Sequence, residues 1–196
     1  MDLGSAGAAR HLVTIGDDVI LEKSRDVRVD AHCLEDAFGL LLRQPENQPL
    51  SDDVLQAAQI AVANYGGPFL DGQDGDWVLQ ERERLHCLFV RIVFELMRAA
   101  AEQRRYEAAI ELGRRILRMD ALRESIQRDV MLLLLLNGQR AEAVRNYQRF
   151  VGLLRSELGI EPMPETKKLY DDMVSGDIFN CVEEYMLNYF CQRSRA

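Results

Sequence analysis

The apolar positions of the first ordered stretch fall in short β-rich runs, and those of the rest of the chain follow a helical period. Leu12-Val13-Thr14-Ile15 and Val19-Ile20-Leu21 are short β-rich runs around Gly16-Asp17-Asp18, the arrangement of a hairpin and its turn. Val27-Arg28-Val29 alternates and predicts a short further strand. From Ala31 onward the apolar residues recur at steps of three and four, the period of an amphipathic helix. Asp30 caps a predicted helix over 31–43 that places Leu34, Ala37, Phe38 and Leu41 on one face. Ser51 caps the next, with Asp52 and Asp53 in its first turn, where negative charge favours the helix dipole. That helix ends before Gly66-Gly67-Pro68, and a loop rich in Gly and Asp follows from Tyr65 to Trp77.

A long helix is predicted over 77–103, with Leu85, Leu88, Phe89, Ile92, Val93 and Leu96 inward. A second runs over 106–119 with Ala109, Ile110, Gly113, Ile116 and Leu117 inward. Asp120 is the expected cap of a third, carrying Ile126, Val130, Leu133 and Leu134. A fourth, over 141–158, sets Ala143, Tyr147, Phe150, Val151 and Leu154 on one stripe, and Gly159 suits a left-handed C-cap. Pro164 opens a shorter helix at a position that tolerates it. A final amphipathic segment, Asp177 to Gln192, carries Val182, Tyr185, Met186, Tyr189 and Phe190. It is read as a cap on the last helical pair, with a helix-to-helix dimer contact as the alternative.

The pattern also repeats. Arg104-Arg105-Tyr106-Glu107-Ala108-Ala109-Ile110 aligns with Gly138-Gln139-Arg140-Ala141-Glu142-Ala143-Val144, and Ala109 and Ala143 are 34 residues apart. Thirty-four residues is the tetratricopeptide period. The fold expected is therefore all-α: tetratricopeptide-like helical hairpins in a right-handed superhelix, with a short N-terminal β-hairpin. A small Ala early in the second helix of each unit lets two helices approach, and Tyr147 one turn later fills the gap to the next unit. The first unit has Gly113 at the position of Tyr147, so its contact must be closer or differently filled. The parts expected are a disordered start over 1–11, a hairpin over 12–29, a helical-repeat domain over 30–176 and a C-terminal capping or dimerisation helix over 177–196.

Charge and chemistry narrow the function. Apolar residues make up 47% of the chain and charged residues 29%, the balance of a soluble folded domain. The net charge of −8 argues against nucleic-acid binding by the chain alone, because a phosphate backbone rewards a basic face. The N-terminus lacks a basic start and a long apolar core, and the most apolar run, Met131 to Leu136, is too short to span a bilayer. A cytoplasmic protein without membrane association is expected. Cys33, Cys87, Cys181 and Cys191 form no C-x-x-C pair, so neither zinc nor a disulfide framework is expected. Cys33 and Cys87 read as small buried residues within helices.

No G-x-S-x-G elbow, P-loop, G-x-G-x-x-G or H-E-x-x-H occurs, and His11, His32 and His86 are scattered. No catalytic residue, cofactor or metal site is assigned. The loop from Asp71 to Asp76 looks superficially like a calcium loop, but Gln73 and Gly75 replace two acids and Arg82 stands at the twelfth position. Tyr65 and Trp77, which bracket this loop, are expected to anchor it to the helices. Arg91, Glu95 and Arg98 share the polar side of the long helix. In tetratricopeptide arrays the first helices of successive pairs line the concave groove, so Arg128 on the next first helix is expected to join them. Together they would bind an acidic or carboxylate-bearing segment of a protein. The plainer reading is a solvated helix face with intrahelical ion pairs.

An ordered set of motifs then points to a family. Tyr65-Gly66-Gly67-Pro68-Phe69-Leu70 precedes Trp77 and Glu81-Arg82-Glu83-Arg84-Leu85. Asp120-Ala121-Leu122-Arg123-Glu124, Gly138-Gln139-Arg140-Ala141-Glu142-Ala143 and Glu157-Leu158-Gly159-Ile160-Glu161-Pro162-Met163-Pro164-Glu165 follow. The series resembles the bacterial transcriptional activator domain of SARP-type regulators. In that family the domain follows a winged helix-turn-helix, and residues 12–30 resemble only the last hairpin and exit strand of one. The recognition helix, which would enter the major groove, has no counterpart. The resemblance implies transcriptional regulation through dimerisation or contact with an RNA polymerase subunit or another regulator. A tetratricopeptide adaptor or chaperone scaffold unrelated to transcription is the alternative.

Overall fold

A computed structural model of the chain describes residues 12–16, 18–21, 29–45 and 48–176. Two strands open it: β1 (Leu12–Ile15) and β2 (Asp18–Leu21) pair antiparallel, with Leu12 opposite Leu21 and Ile15 opposite Asp18. Seven helices follow among the described residues: α1 (Asp30–Arg43), α2 (Asp52–Asn64), α3 (Asp76–Glu102), α4 (Tyr106–Met119), α5 (Glu124–Leu136), α6 (Arg140–Leu158) and α7 (Pro164–Ser175). Helix packs on next helix throughout, while α1 also meets α3 and α5 also meets α7. This is the layering of stacked helical hairpins, with first helices touching first helices. The expectations for residues 1–11, for Val27 and Arg28, and for 177–196 lie outside the described residues.

The 34-residue period reappears in the backbone. After α3, Arg105 N–H donates to Ala100 O at 2.8 Å and Arg104 N–H to Ala101 O at 2.9 Å. After α5, Gln139 N–H donates to Leu134 O at 2.7 Å and Gly138 N–H to Leu135 O at 2.9 Å. Both turns need one left-handed residue, which is Arg104 (φ 57) in the first and Gly138 (φ 72) in the second. Glycine takes that conformation freely; a residue with a Cβ is strained there.

The core runs through the whole array. Ala109 and Ala143, the paired small residues of the repeat, are fully buried. In α5 the run Met131 to Leu135 is buried on every side, between α4, α6 and α7. Tyr147 stacks on Tyr170 of α7, with ring centroids 4.1 Å apart and planes 15° apart, so α6 meets the following element through it. At the matching position of the first unit, a Cβ on Gly113 would lie 2.5 Å from Val130 Cγ2 and 3.3 Å from Met97 Sδ. The closer contact demanded by a glycine there is thus made against α5 and α3 together.

Three expectations fail, the first at α1, where Asp30 lies within the helix and the cap position falls on Val29. Asp120 does not cap α5. Its N–H still donates to Ile116 O at 2.9 Å, so it ends α4, and a turn closed by Arg123 N–H on Asp120 O precedes the start of α5 at Glu124. Cys87 is exposed rather than buried. It sits one turn after Glu83, whose carboxylate it contacts at 3.4 Å, on the polar side of α3.

The glycines give a signed test. Gly113→Ala should destabilise by about 1–2 kcal/mol, because Val130 is buried and its branched side chain is stiff, which outweighs the gain in helix propensity. Gly152→Ala, in mid α6 with open space around it, should stabilise by about 0.5–1 kcal/mol. Urea titration followed by circular dichroism reads both, and equal signs would contradict the packing described.

Candidate interaction face

The polar stripe of α3 is built around Glu95, whose side chain is only 8% exposed. Arg91 Nη2 reaches Glu95 Oε1 at 3.2 Å, and Arg98 Nε donates to Glu95 Oε2 at 3.0 Å. Arg98 Nη1 also donates to Glu102 Oε1 at 2.7 Å. Steps of three and four residues put all four side chains on one helix face. Burial beside Ile92 and Leu96 leaves Glu95 dependent on its two arginines, since an unpaired buried carboxylate is costly. Arg91 is the more accessible of the two, at 42% against 14% for Arg98.

Arg128 ties α5 to α7. Its Nη1 donates to Thr166 Oγ1 of α7 at 2.8 Å, and Glu124 lies 4.0 Å away on its own helix. Glu124 Oε1 in turn accepts the N–H of Met163, just before α7. Arg128 thus joins α5 to α7.

The loop between α2 and α3 is held by Tyr65, one of its two expected anchors, and by Arg82, for which the sequence suggested no such role. Arg82 Nε donates to Phe69 O at 2.9 Å, and its Nη2 to Leu70 O at 2.8 Å and Gln73 O at 3.1 Å. One guanidinium thus satisfies three loop carbonyls. Tyr65 is buried and stacks on Phe89 at 4.6 Å, while Arg115 donates to Tyr65 O at 3.0 Å and lies over the Phe89 ring. Burial pushes the Tyr65 hydroxyl above its ordinary pKa, and the Asp30 carboxylate adds to the shift. Trp77, by contrast, is 64% exposed and touches Phe69 only edge-on at 6.3 Å. Further along, Arg84 donates to Glu81 and to Glu35 of α1 at 2.6 Å each, which holds the Glu81 carboxyl below the usual range. The partners of Arg82, Arg115 and Arg84 lie 9 to 50 residues away, apart from Glu81, so no local pattern announces them.

Among the described residues no cluster of three or more His, Cys, Asp or Glu could hold a metal ion, and no helix is long and apolar enough to cross a membrane.

Stacked helical hairpins define a helical-repeat module of the tetratricopeptide kind. The chain belongs to the bacterial transcriptional activator domain family, whose model matches residues 29–173. Among solved structures it is similar to the C-terminal TPR-containing domain of a protein described as an FK506-binding protein of Plasmodium falciparum. That likeness has a TM-score of 0.50 at 14% identity and covers 78% of this chain and 95% of that one, which shows the fold alone. No curated protein matches the chain.

Two substitutions separate the anchors of the loop. Tyr65→Ala should cost about 3–5 kcal/mol by removing a buried stacked ring. Arg82→Ala should cost less globally, and should speed amide exchange over residues 68–75 about tenfold as three carbonyl contacts are lost. Exchange mass spectrometry on both variants checks this; an unchanged loop in Arg82→Ala would remove Arg82 from the role.

Proposed function

We propose that this chain regulates transcription through protein–protein contact, as an activator and dimerisation module that acts in the cytoplasm without touching DNA by itself. The observation that carries the reading is the family match over 29–173, laid on a repeat fold of the kind that holds partners. The net charge of −8 supports a protein partner over a nucleic acid. The partner we propose is an RNA polymerase subunit or another regulator, docking an acidic segment along the first helices. Arg91 supplies the accessible charge on α3, and Arg98 supports it from below through Glu95. Arg128 contributes by setting α7 against α5.

Affinity capture with the full chain, using purified RNA polymerase holoenzyme and then the regulators encoded beside its gene, is the test. Binding to one of them is expected, and Arg91→Glu should weaken it about tenfold by replacing a charge-assisted contact with repulsion. Gel shifts of promoter DNA at physiological salt should show no complex. Capture of neither class of protein, or an unaffected Arg91→Glu variant, would sink the docking mechanism.

A further inference from the structure

The second helices of the repeats carry a face that the docking reading above does not use. A cleft of about 420 Å³ lies between α2, the end of α3 and α4, floored by Leu55, Leu96, Ala99, Ala108 and Leu112. A second, of about 350 Å³, lies between α4 and α6 over Leu117, Phe150 and Leu153. Arg118 lines both, so they adjoin. The rims carry Arg105, Arg114, Arg115, Arg118 and Arg149. One carboxylate lines the clefts with them, Glu111, paired with Arg118 at 2.8 Å, and Arg114 is paired with Glu142 of α6. On a chain of net charge −8 this is a local excess of positive charge around apolar floors.

An occupant must therefore be acidic and amphipathic, and the chain carries such a segment. Residues 177–192 contain Asp177, Glu183 and Glu184 and no Lys or Arg, with Val182, Tyr185, Met186, Tyr189 and Phe190 at three- and four-residue steps. The path to the clefts is short. α7 ends at Ser175, and Arg140 Nη2 donates to Val174 O at 2.6 Å, which puts the end of α7 beside the first residue of α6. Arg149 and Phe150 of the second cleft lie about 15 Å further along α6, and sixteen residues reach about 24 Å even as a helix.

We propose that the arginine-rimmed clefts of α4 and α6 are the docking site of this chain's own C-terminal segment, residues 177–192, bound in cis. Glu183 and Glu184 face the arginines, and the aromatic stripe covers the apolar floors. The segment thereby lies across the second helices and leaves the α3 stripe open.

Hydrogen–deuterium exchange on the full chain tests it. The segment should be protected, to the same degree on dilution. The double variant R118E/R149E should speed its exchange about tenfold, because both sites are exposed positions; R118E also breaks the exposed Arg118–Glu111 pair, so unchanged exchange of α5 is the control for folding. R43E, a like change outside the clefts, should leave it protected. Adding E183R and E184R to R118E/R149E should restore protection by exchanging the signs. Free exchange of the segment in the unaltered chain would overturn the proposal. So would protection that persists in R118E/R149E, which would place the segment on another surface such as the end of the array. Protection lost on dilution would assign the clefts to a second copy's segment and overturn docking in cis.

Discussion

The burial of α5 constrains everything around it. Five successive residues, Met131 to Leu135, leave no polar side for water, so the helix is stable only when covered on all sides. α4 covers one side, and it comes close enough only because Gly113 has no Cβ to strike Val130. α6 covers another through Ala143, and α7 closes a third, tied down by Arg128 on Thr166 and by the Tyr147–Tyr170 stack. Each apolar side chain so buried contributes roughly 1.5–3 kcal/mol. No single hairpin could supply that cover, which is why the two units with the recognisable repeat need neighbours at both ends.

Charge is organised around that core in two ways. On α3 the arginines serve a buried carboxylate: Glu95 is flanked by Arg91 and Arg98, and the network continues to Glu102. On α4 and α6 the arginines outnumber the acids and rim two apolar clefts. The first arrangement rigidifies a helix face and leaves one accessible cation. The second leaves positive charge around apolar surface that no other described residue covers, which is a more demanding feature for an acidic protein to carry. Membership of the bacterial transcriptional activator domain family gives these surfaces a context.

Residue by residue, the sequence spoke most clearly where the signal was periodic. The long helix, the stripe of Leu85 to Leu96, the small Ala109 and Ala143, the left-handed Gly159 and the opening Pro164 all follow from local chemistry, because each element's own neighbours decide it. The sequence was less informative where a residue's partner is distant. Arg82 and Arg115 acquire their carbonyl partners only when the loop folds back, and Arg128 finds Thr166 across 38 residues. Tyr65 and Trp77 were alike to the sequence, both aromatic residues beside a glycine-rich loop, yet Tyr65 lies under the helices and Trp77 is exposed.

The sequence by itself therefore determined the helices, their period and the family, since these depend on spacing along one chain. Tertiary structure alone decided which charges pair and which surfaces stay open. Asp120 shows the boundary between the two. Its residue type suits a helix start, but α4 was still able to use its N–H, and a backbone hydrogen bond already in place outweighs a side-chain preference. The 34-residue offset is the meeting point: read first as matching letters, it recurs as the same turn, with the left-handed residue at Arg104 in one unit and Gly138 in the next.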